Sequence, residues 1–247
     1  FKYNKKSLSC KMIRVKFIFF VLNIFDFFQQ KKVFNFLKKK ISENSILFDV
    51  GAHHGETIQN FKKNFKYNQI HSFEASSINF EILKRKISHK NSKDVFINNF
   101  GLSDDRKILN LNQSKDSASS TLSKINSLSK YYKKKVKVLG ISNRTNYVSQ
   151  LEVKLIMLDD YISDEKLEKI DLLKIDTEGH EYYVLKGASK NLSKINYIYF
   201  EHHYDDMLKK GYTFSDIHNF LKKNNFKMIF KSKMFFRKTF EYIYQKI

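Results

Sequence analysis

Short apolar runs alternate with amphipathic stretches along the chain from residue 46 onward. The apolar runs predict five strands, near 46–50, 70–74, 94–99, 172–176 and 197–201. The amphipathic stretches predict four helices, near 55–64, 78–88, 181–191 and 213–224. Strands that alternate with helices are typical of a mostly parallel sheet with helices on its faces. Two aromatic runs, 226–230 and 240–245, are expected to close this sheet as an antiparallel pair.

A long excursion separates the third and fourth predicted strands, from about residue 103 to 170. Its first part, Ser114 to Lys130, is rich in Ser and Lys and poor in large apolar residues. Such a segment is expected to be a mobile loop, serving either as a lid or as disordered chain. Short alternating runs predict a small extra sheet or an extension of the main one, at 107–111, 136–139 and 153–157.

Residues 1–43 predict a basic helical appendage to one domain that spans 44–247. The apolar run Phe17 to Phe28 is about 12 residues long, whereas a membrane-spanning helix needs about 20. No small-residue cleavage site follows it, so a signal peptide is not predicted either. Six residues of this run share one helical face: Phe17, Phe20, Val21, Ile24, Phe27 and Phe28. That face is expected to pack on the domain or to lie on an anionic membrane.

The net charge of +21 is concentrated at the two ends of the chain. Residues 1–40 carry eleven Lys or Arg and one acid, and residues 221–247 carry eight and one. The body between them is therefore nearly neutral. A nucleic-acid enzyme more often has a basic face beside its site. The basic charge at the two ends therefore indicates contact with a membrane surface, binding of an anionic partner or simple solubility.

A single cysteine, Cys10, excludes a disulfide framework. The sequence therefore predicts a cytoplasmic protein, with peripheral contact at the inner membrane as the variant that its basic ends suggest.

The stretch from Leu47 to Gly55 predicts a buried strand that runs into a glycine-cornered loop. A second apolar run ends in an acid, Glu74, about 24 residues after Val50. In Rossmann-like sheets such glycines let the backbone approach a nucleoside, and the acid accepts hydrogen bonds from the ribose. The Gly-x-x-x-Gly spacing differs from that of dinucleotide enzymes and favours S-adenosylmethionine, which has no pyrophosphate.

A second informative segment, Ile170 to Glu181, predicts an apolar strand that ends in Asp176. A turn with Glu178 and His180 follows, and a helix begins near Glu181. Because ligands of open parallel sheets bind beyond the carboxyl ends of the strands, Asp176 is expected near the glycine loop. Asp176 and Glu178 could instead only cap the helix, and for Glu181 we prefer that structural role.

Five of the eight histidines follow the predicted strand ends: His53, His54, His180, His202 and His203. Together with Asp176, Glu178 and Glu201 they are expected at one rim of the sheet. A neutral histidine is a natural general base near pH 7. Histidines with carboxylates also bind metals, but no short ligand spacing supports a metal here, and none is predicted.

With both segments identified, the chain resembles the FkbM family of S-adenosylmethionine-dependent methyltransferases. The similarity covers roughly residues 44–224. The matching stretches are Phe48 to Thr57, Ser72 to Glu74, Asn99 to Asp104, Ser119 to Leu122, Leu158 to Tyr161, Ile170 to Gly179 and Val184 to Ala188. The strand-one motif and the Asp-x-Glu-Gly-x-Glu motif are specific only in combination. The proline that usually follows the ribose acid is Ala75 here.

The resemblance implies a class I methyltransferase fold, with a seven-stranded, mostly parallel sheet in the order 3-2-1-4-5-7-6. It implies that Glu74 binds the ribose of S-adenosylmethionine and that the Ser103-Asp104 turn lies near the adenine. The cofactor loop would be Asp49, Gly51, Ala52 and Gly55. We also place Asp176 among the residues that bind the cofactor.

The expected reaction is methyl transfer to a hydroxyl oxygen of a sugar, glycan or other small molecule, for example in polysaccharide biosynthesis. His180 is the leading base, held by Asp176 or Glu178, with the His202–His203 pair as the alternative. Glu201 would position the acceptor. An RNA methyltransferase that grips phosphates with its basic ends, and a non-catalytic nucleoside-binding scaffold, are the competing hypotheses. The absence of proline excludes the Asn/Asp-Pro-Pro-aromatic motif of amine methylation.

Overall fold

The computed structural model describes residues 25–88, 92–114, 119–138 and 148–247. The strands in these residues are β1 Ser45–Val50, β2 Tyr67–Phe73, β3 Val95–Asn98, β4 Gly101–Leu102, β5 Lys107–Ser114, β6 Lys124–Ile125, β7 Val148–Ile156, β8 Ile170–Ile175, β9 Ile195–His203, β10 Leu208–Lys209, β11 Phe226–Lys233 and β12 Thr239–Lys246. The helices are α1 (25–38), α2 Glu56–Asn64, α3 Ser77–Ser88, α4 Lys130–Val138, α5 Leu158–Asp164, α6 Glu181–Lys186 and α7 Phe214–Lys223.

Seven strands form the central sheet, in the order β3-β2-β1-β8-β9-β12-β11. Renumbered along the chain among themselves, they stand 3-2-1-4-5-7-6. The sheet is mixed: the pairs from β3 to β9 are parallel, whereas β12 is antiparallel to both β9 and β11. The antiparallel pair expected from the two aromatic runs is therefore confirmed. Parallel strands place their carboxyl ends at one edge, and that edge carries the site.

Helices cover both faces of the sheet, and strand alternation divides its side chains between two apolar cores. On one face α1, α2 and α3 pack over residues such as Leu47 and Leu172. On the other face α5, α6 and α7 pack over residues such as Phe48, Val50 and Phe200. The α/β class predicted from the sequence is thus confirmed.

Helix α1 belongs to the first of these cores. Its residues Val33, Phe34 and Leu37 are buried, and the Phe34 ring lies 6.1 Å from that of Phe61 in α2. Of the predicted apolar face, Phe17, Phe20, Val21 and Ile24 lie outside the described residues. Phe27 and Phe28 are each 58% exposed. Among the helices of the described ranges, none combines the length and apolarity that crossing a bilayer requires.

The excursion between β3 and β8 supplies a second, three-stranded sheet in the order β4-β7-β5. The predicted runs at 107–111 and 153–157 lie in its strands β5 and β7. The predicted strand at 136–139 is wrong, because residues up to Val138 belong to α4. Tyr132 and Val136, four residues apart, share the buried side of that helix and pack on Met207.

Two further boundaries differ from those predicted, and both affect the site. Helix α6 ends at Lys186 rather than at 191. A Cβ atom on the following Gly187 would lie 1.9 Å from the carbonyl oxygen of Ser103, so the helix ends in close backbone contact with the 103 loop. Strand β9 continues to His203. Its last two residues, His202 and His203, were predicted to follow the strand; they lie within it and therefore point to opposite faces of the sheet.

Candidate functional site

A cleft at the carboxyl edge of the sheet lies between the ends of β1, β2 and β8. The space between its walls is about 600 Å³, with the open solvent at its mouth included. Its walls combine apolar side chains with a few polar ones. The lining residues are Val50, Gly51, His53, Phe73, Glu74, Ala75, Asn79, Gly101, Leu102, Leu111, Ser120, Leu122, Asp176, Thr177, Glu178 and His180.

Gly51 lets two strand ends approach each other at the base of the cleft. It has a positive φ of 84°, and a Cβ atom there would lie 1.9 Å from the carbonyl oxygen of Asp176. The amide of Gly51 donates to the Phe73 carbonyl at 2.9 Å, and that of Asp176 donates to Val50, also at 2.9 Å. Only glycine fits between these strands without moving one of them.

Backbone amides fix the Glu74 carboxylate at the cleft wall. Its Oε2 accepts from the amide of His53 at 2.7 Å, and its Oε1 accepts from that of Ser76 at 2.9 Å. Burial raises the pKa of Glu74, while these two amides act in the opposite direction. Each carboxylate oxygen has more than one acceptor site, so Glu74 retains capacity for ligand hydroxyls.

The other predicted members of the cofactor loop support the cleft from behind. Asp49 is fully buried and forms an ion pair with Lys174 at 3.2 Å. Burial raises the pKa of Asp49 to about 6, although Lys174 acts to lower it. Ala52 is buried. Gly55 has a φ of 87° and precedes α2, where a Cβ atom would lie 2.8 Å from Leu83.

The predicted adenine turn also lies behind the wall, which is formed there by Gly101 and Leu102. The Ser103 hydroxyl lies 2.9 Å from Nε2 of His180 and donates to Asp104 at 3.0 Å. Asp104 forms ion pairs with Lys107 and Lys186. A direct contact of this turn with adenine stays a prediction.

The turn at 176–180 forms the opposite end of the cleft in a strained conformation. Glu178 has a φ of 50° and Gly179 a φ of 98°. The Glu181 carboxylate accepts from the amides of Thr177 and Gly179 at 3.3 and 2.9 Å, which fits the structural role expected for it. From the excursion, Thr121 donates to the Glu178 carbonyl at 2.5 Å and Ser123 donates to that of Gly179 at 2.8 Å.

The predicted contacts of His180 with Asp176 or Glu178 are wrong, because its ring turns toward the 103 loop. Its Nε2 faces the Ser103 hydroxyl, and its ring stacks on Tyr183. Burial lowers the pKa of His180 to about 4, so its imidazole is neutral near pH 7. His180 still lines the cleft.

The proposed rim of five histidines does not form one cluster. His53 and His180 line the cleft, whereas His202 contacts Tyr204 and Phe214 over the α7 core. Burial, helped by Lys210, lowers the pKa of His202 to about 4. The strand alternation that sends His202 to that face sends His203 to the other.

His203 lies directly behind Glu178, in a position that strand periodicity could have indicated had β9 been predicted at full length. Its Nε2 lies 3.3 Å from the Glu178 carboxylate, and its Nδ1 lies 3.8 Å from Asp205. Burial alone would lower the pKa of His203, but these carboxylates overcome it and raise the pKa to about 9. Near pH 7 the His203 imidazole is therefore protonated and faces the Glu178 side chain.

Glu201 lies in a buried acidic row beside the cleft. It pairs across the sheet with Glu241, which accepts from Tyr199 at 2.6 Å and also from Gln29 of α1. Burial, then Asp176 and Glu241, raise the pKa of Glu201. Glu201 is not among the cleft-lining residues.

One group of three metal-type ligands occurs in the described part of the chain, at the cofactor loop. One donor atom from each of His53, His54 and Glu56 lies within 4.8 Å of the others. The Glu56 carboxylate is 3.2 Å from Nδ1 of His53 and accepts from the His54 amide at 3.1 Å. These bonds hold the loop without a metal, and the absence of a metal stays a prediction.

Several lining residues escaped the sequence reasoning. Asn79 comes from α3, Leu111 from β5, and Ser120 and Leu122 from the excursion. None follows a predicted strand of the main sheet, and the position of the last three depends on how the excursion folds back over that sheet. The Ser-rich segment thus contributes to the cleft wall, while its mobility stays a prediction.

Several solved structures of known proteins share this architecture. A structure of methyltransferase FkbM from Methylobacillus flagellatus KT aligns with 82% of this chain and 43% of its own, at 14% identity and a TM-score of 0.51. The M. capricolum TrmK structure with S-adenosylhomocysteine aligns with 86% of this chain and 67% of its own, at 10% identity and a TM-score of 0.50. The structure of an rRNA methylase from Streptococcus thermophilus aligns with 87% of this chain and 95% of its own, at 10% identity and a TM-score of 0.50.

At such identities the likeness establishes the fold alone, which is that of the class I methyltransferases. The chain spans under half the length of the Methylobacillus protein, and no curated protein matches it. A family profile described as the methyltransferase FkbM domain matches residues 49–228. The chain belongs to this family of S-adenosylmethionine-dependent methyltransferases.

Proposed function

We propose that this protein transfers a methyl group from S-adenosylmethionine to a hydroxyl oxygen of a sugar, glycan or other small molecule. One observation carries the proposal: a single cleft joins an amide-anchored acid, Glu74, to a carboxylate-bearing turn at Asp176 and Glu178. The first end suits a nucleoside, and the second suits an acceptor hydroxyl.

The residues at the first end fit the cofactor. Gly51 lets the end of β1 lie directly against the Asp176 backbone, with no side chain between the two strand ends at the base of the cleft. Glu74 presents fixed acceptors for two ribose hydroxyls, and Val50, Phe73 and Leu102 provide apolar walls for a base. When bound, S-adenosylmethionine supplies a methyl group on a sulfonium, which leaves as a neutral thioether.

At the second end the protein must orient the acceptor hydroxyl and take its proton. The Glu178 carboxylate is the group best placed for both tasks, because it lines the cleft and has His203 behind it. The hydroxyl donates to this carboxylate during alignment, and the proton passes to it as the new carbon–oxygen bond forms. Asp176, which is 31% exposed, assists in positioning the hydroxyl.

In this proposal the other predicted catalytic residues have supporting roles. His180 orders the 103 loop through Ser103, because its Nε2 faces the Ser103 hydroxyl and its ring stacks on Tyr183. Glu201, whose pKa is raised by burial and by Asp176, lies beside the acceptor end without lining the cleft. His202 packs on the α7 side of the sheet and does not line the cleft.

RNA methylation is the second candidate, favoured by the likeness of the fold to an rRNA methylase. The near-neutral body of the chain counts against it. It predicts RNA binding that weakens steeply with salt. A non-catalytic scaffold would bind the nucleoside without turnover, although it has no need for the Glu178–His203 pair.

The test is methyl transfer from methyl-labelled S-adenosylmethionine to a panel of hydroxylated sugars, with RNA as a second acceptor class. We expect Glu178→Gln to lower kcat by about 10²–10⁴-fold while leaving S-adenosylhomocysteine affinity unchanged. His180→Asn, the matched control, is expected to lower kcat much less. A reversed order of the two effects would assign the proton transfer to His180, and labelling of RNA alone would overturn the proposed acceptor.

A further inference from the structure

Four exposed phenylalanines lie on two segments that are more than 200 residues apart in the chain. Phe27 and Phe28, in the first turn of the described part of α1, are each 58% exposed, and Phe235 and Phe236, in the turn between β11 and β12, are 50% and 73% exposed. Phe96 is the next most exposed phenylalanine in the described ranges, at 39%. Exposed aromatic side chains that cluster usually mark an interaction surface.

Direct contacts join the two segments into one surface. The Phe25 ring lies 5.1 Å from the rings of both Phe235 and Phe236. Asp26 forms an ion pair with Arg237 at 2.6 Å. We call Phe25, Phe27, Phe28, Phe235 and Phe236 together the phenylalanine patch.

The turn holds its aromatic side chains outward at a conformational cost. Phe236 has a φ of 60°, in a region that bulky side chains rarely adopt. Its neighbour Met234 is buried and anchors the base of the turn through an amide bond to the Thr239 carbonyl at 3.0 Å. The chain therefore buries one apolar residue of this turn and presents the two next to it.

The charge around the patch is positive. Residues 231–238 carry four Lys or Arg and no acid. Lys31 and Lys32 on α1, and Lys233 and Lys238 beside the tip, are exposed. The one acid in the first turn of α1, Asp26, is neutralised by Arg237. Phenylalanines at two projecting ends with lysines around them combine apolar insertion with attraction to anionic lipid.

We propose that the phenylalanine patch docks the protein onto an anionic membrane surface. Nucleic acid is the less suitable occupant, because binding a single strand requires a basic groove along which bases stack in succession. This patch is instead built from the first described turn of α1 and a hairpin tip. The surface goes beyond the proposed methyl transfer and does not depend on it.

The docking surface lies at the same edge of the sheet as the cleft. Thr239, the first residue after the tip, pairs with His203 at the end of β9, and β9 runs parallel to β8, whose end leads to Asp176. A docked bilayer would thus face the edge that carries the site. If the proposed function holds, the natural substrate is an acceptor attached to a membrane lipid. Only this assignment of the acceptor rests on the proposed function.

The experiment is co-sedimentation of the full chain with vesicles of phosphatidylglycerol and phosphatidylcholine, or of phosphatidylcholine alone, at low and high salt. We expect binding to the anionic vesicles that weakens with salt. A Phe235→Ser, Phe236→Ser double variant should lose about tenfold to a hundredfold in affinity. A Lys233→Glu, Lys238→Glu variant should lose about tenfold and most of the salt dependence.

Ile108→Ser is the matched control, because Ile108 is 63% exposed on β5, away from the patch; it should bind vesicles like the wild type. Circular dichroism and S-adenosylhomocysteine titration check that each variant folds. Wild-type protein that stays in the supernatant with anionic vesicles at low salt would overturn the proposal. So would binding that the phenylalanine variant retains.

A single-stranded RNA oligonucleotide provides the competing arm. Binding of RNA that the phenylalanine variant loses, without vesicle binding, would assign the patch to nucleic acid and overturn the membrane proposal. Vesicle binding by a protein that does not bind S-adenosylhomocysteine would leave the docking surface intact and reject the proposed function instead.

Discussion

The two ends of the cleft are built in different ways. At the cofactor end, Gly51 and Glu74 lie on adjacent strands, and short backbone hydrogen bonds fix both. At the acceptor end, the turn at 176–180 is held by side chains of three elements: Thr121 and Ser123 of the excursion, His203 of β9, and the adjoining Glu181 of α6. The first end depends on backbone shape and the second on charge and side-chain contacts, so different substitutions should disable each.

Gly51→Ala should have the largest effect, because the new Cβ would lie 1.9 Å from the Asp176 carbonyl oxygen. We expect a loss of about 4 kcal/mol in the free energy of unfolding and no S-adenosylhomocysteine binding. Denaturant unfolding and calorimetry measure both. Gly211→Ala is the control: its φ is also positive, at 76°, but the nearest atom is the Tyr183 hydroxyl at 3.0 Å, so about 1–2 kcal/mol is expected. Equal losses would mean that strand contact at Gly51 is unimportant.

The charge at the acceptor end should appear in the pH dependence of stability. The pKa of His203 is about 9 in the folded protein, against about 6.5 when unfolded. The folded state holds this proton more tightly, so the stabilisation is complete below about pH 6.5 and is lost as the pH rises to about 9, by about 3 kcal/mol.

His203→Gln should therefore flatten unfolding free energy against pH on the alkaline side. His202→Gln is the neighbouring control on the opposite face. The pKa of His202 is lowered to about 4, so its contribution is present above about pH 6.5 and is lost as the pH falls toward 4. An alkaline limb that stays steep in His203→Gln would contradict the assignment of charge to this residue.

Thr121→Val should have the smallest effect on stability, and it tests whether the two ends of the cleft act independently. The variant loses the bond to the Glu178 carbonyl and the bond that Thr121 accepts from the Ser123 amide, at about 1–2 kcal/mol of stability. We expect kcat to fall while S-adenosylhomocysteine affinity is unchanged. Ser163→Ala removes a hydroxyl bond to the Asp159 carbonyl on α5 and should leave kcat unaltered. A matching loss of cofactor affinity in Thr121→Val would mean that the two ends are not independent.

The same contrast explains what the sequence could predict. Gly51 and Glu74 stand beside strand ends that apolar runs mark directly, so the fold class and the cofactor end were within reach. The acceptor end depends on where β9 ends: because the strand continues two residues beyond 201, His202 and His203 point to opposite faces of the sheet. Nor could spacing show that His180 turns to Ser103, because that contact depends on how closely Gly187 brings α6 to the 103 loop.

The cleft-lining residues of the excursion could not be predicted from the sequence for a related reason. Leu111, Ser120 and Leu122 reach the cleft through pairing of β5 with β7 and through the bridge between Asn112 and Thr121. Such long-range register is not encoded in a local run of residues. The helical period of Tyr132 and Val136 was present in the sequence, but the short alternating pattern at 136–139 concealed it.

The central claim is that the Glu74 end of the cleft binds the nucleoside of S-adenosylmethionine. Calorimetric titration with S-adenosylhomocysteine tests it most directly, using the wild type, Glu74→Gln and the exposed control Glu81→Gln on α3. We expect saturable binding by the wild type and by Glu81→Gln, and an affinity lowered by about tenfold or more in Glu74→Gln. No binding by the folded wild type, or equal binding by all three proteins, would contradict it.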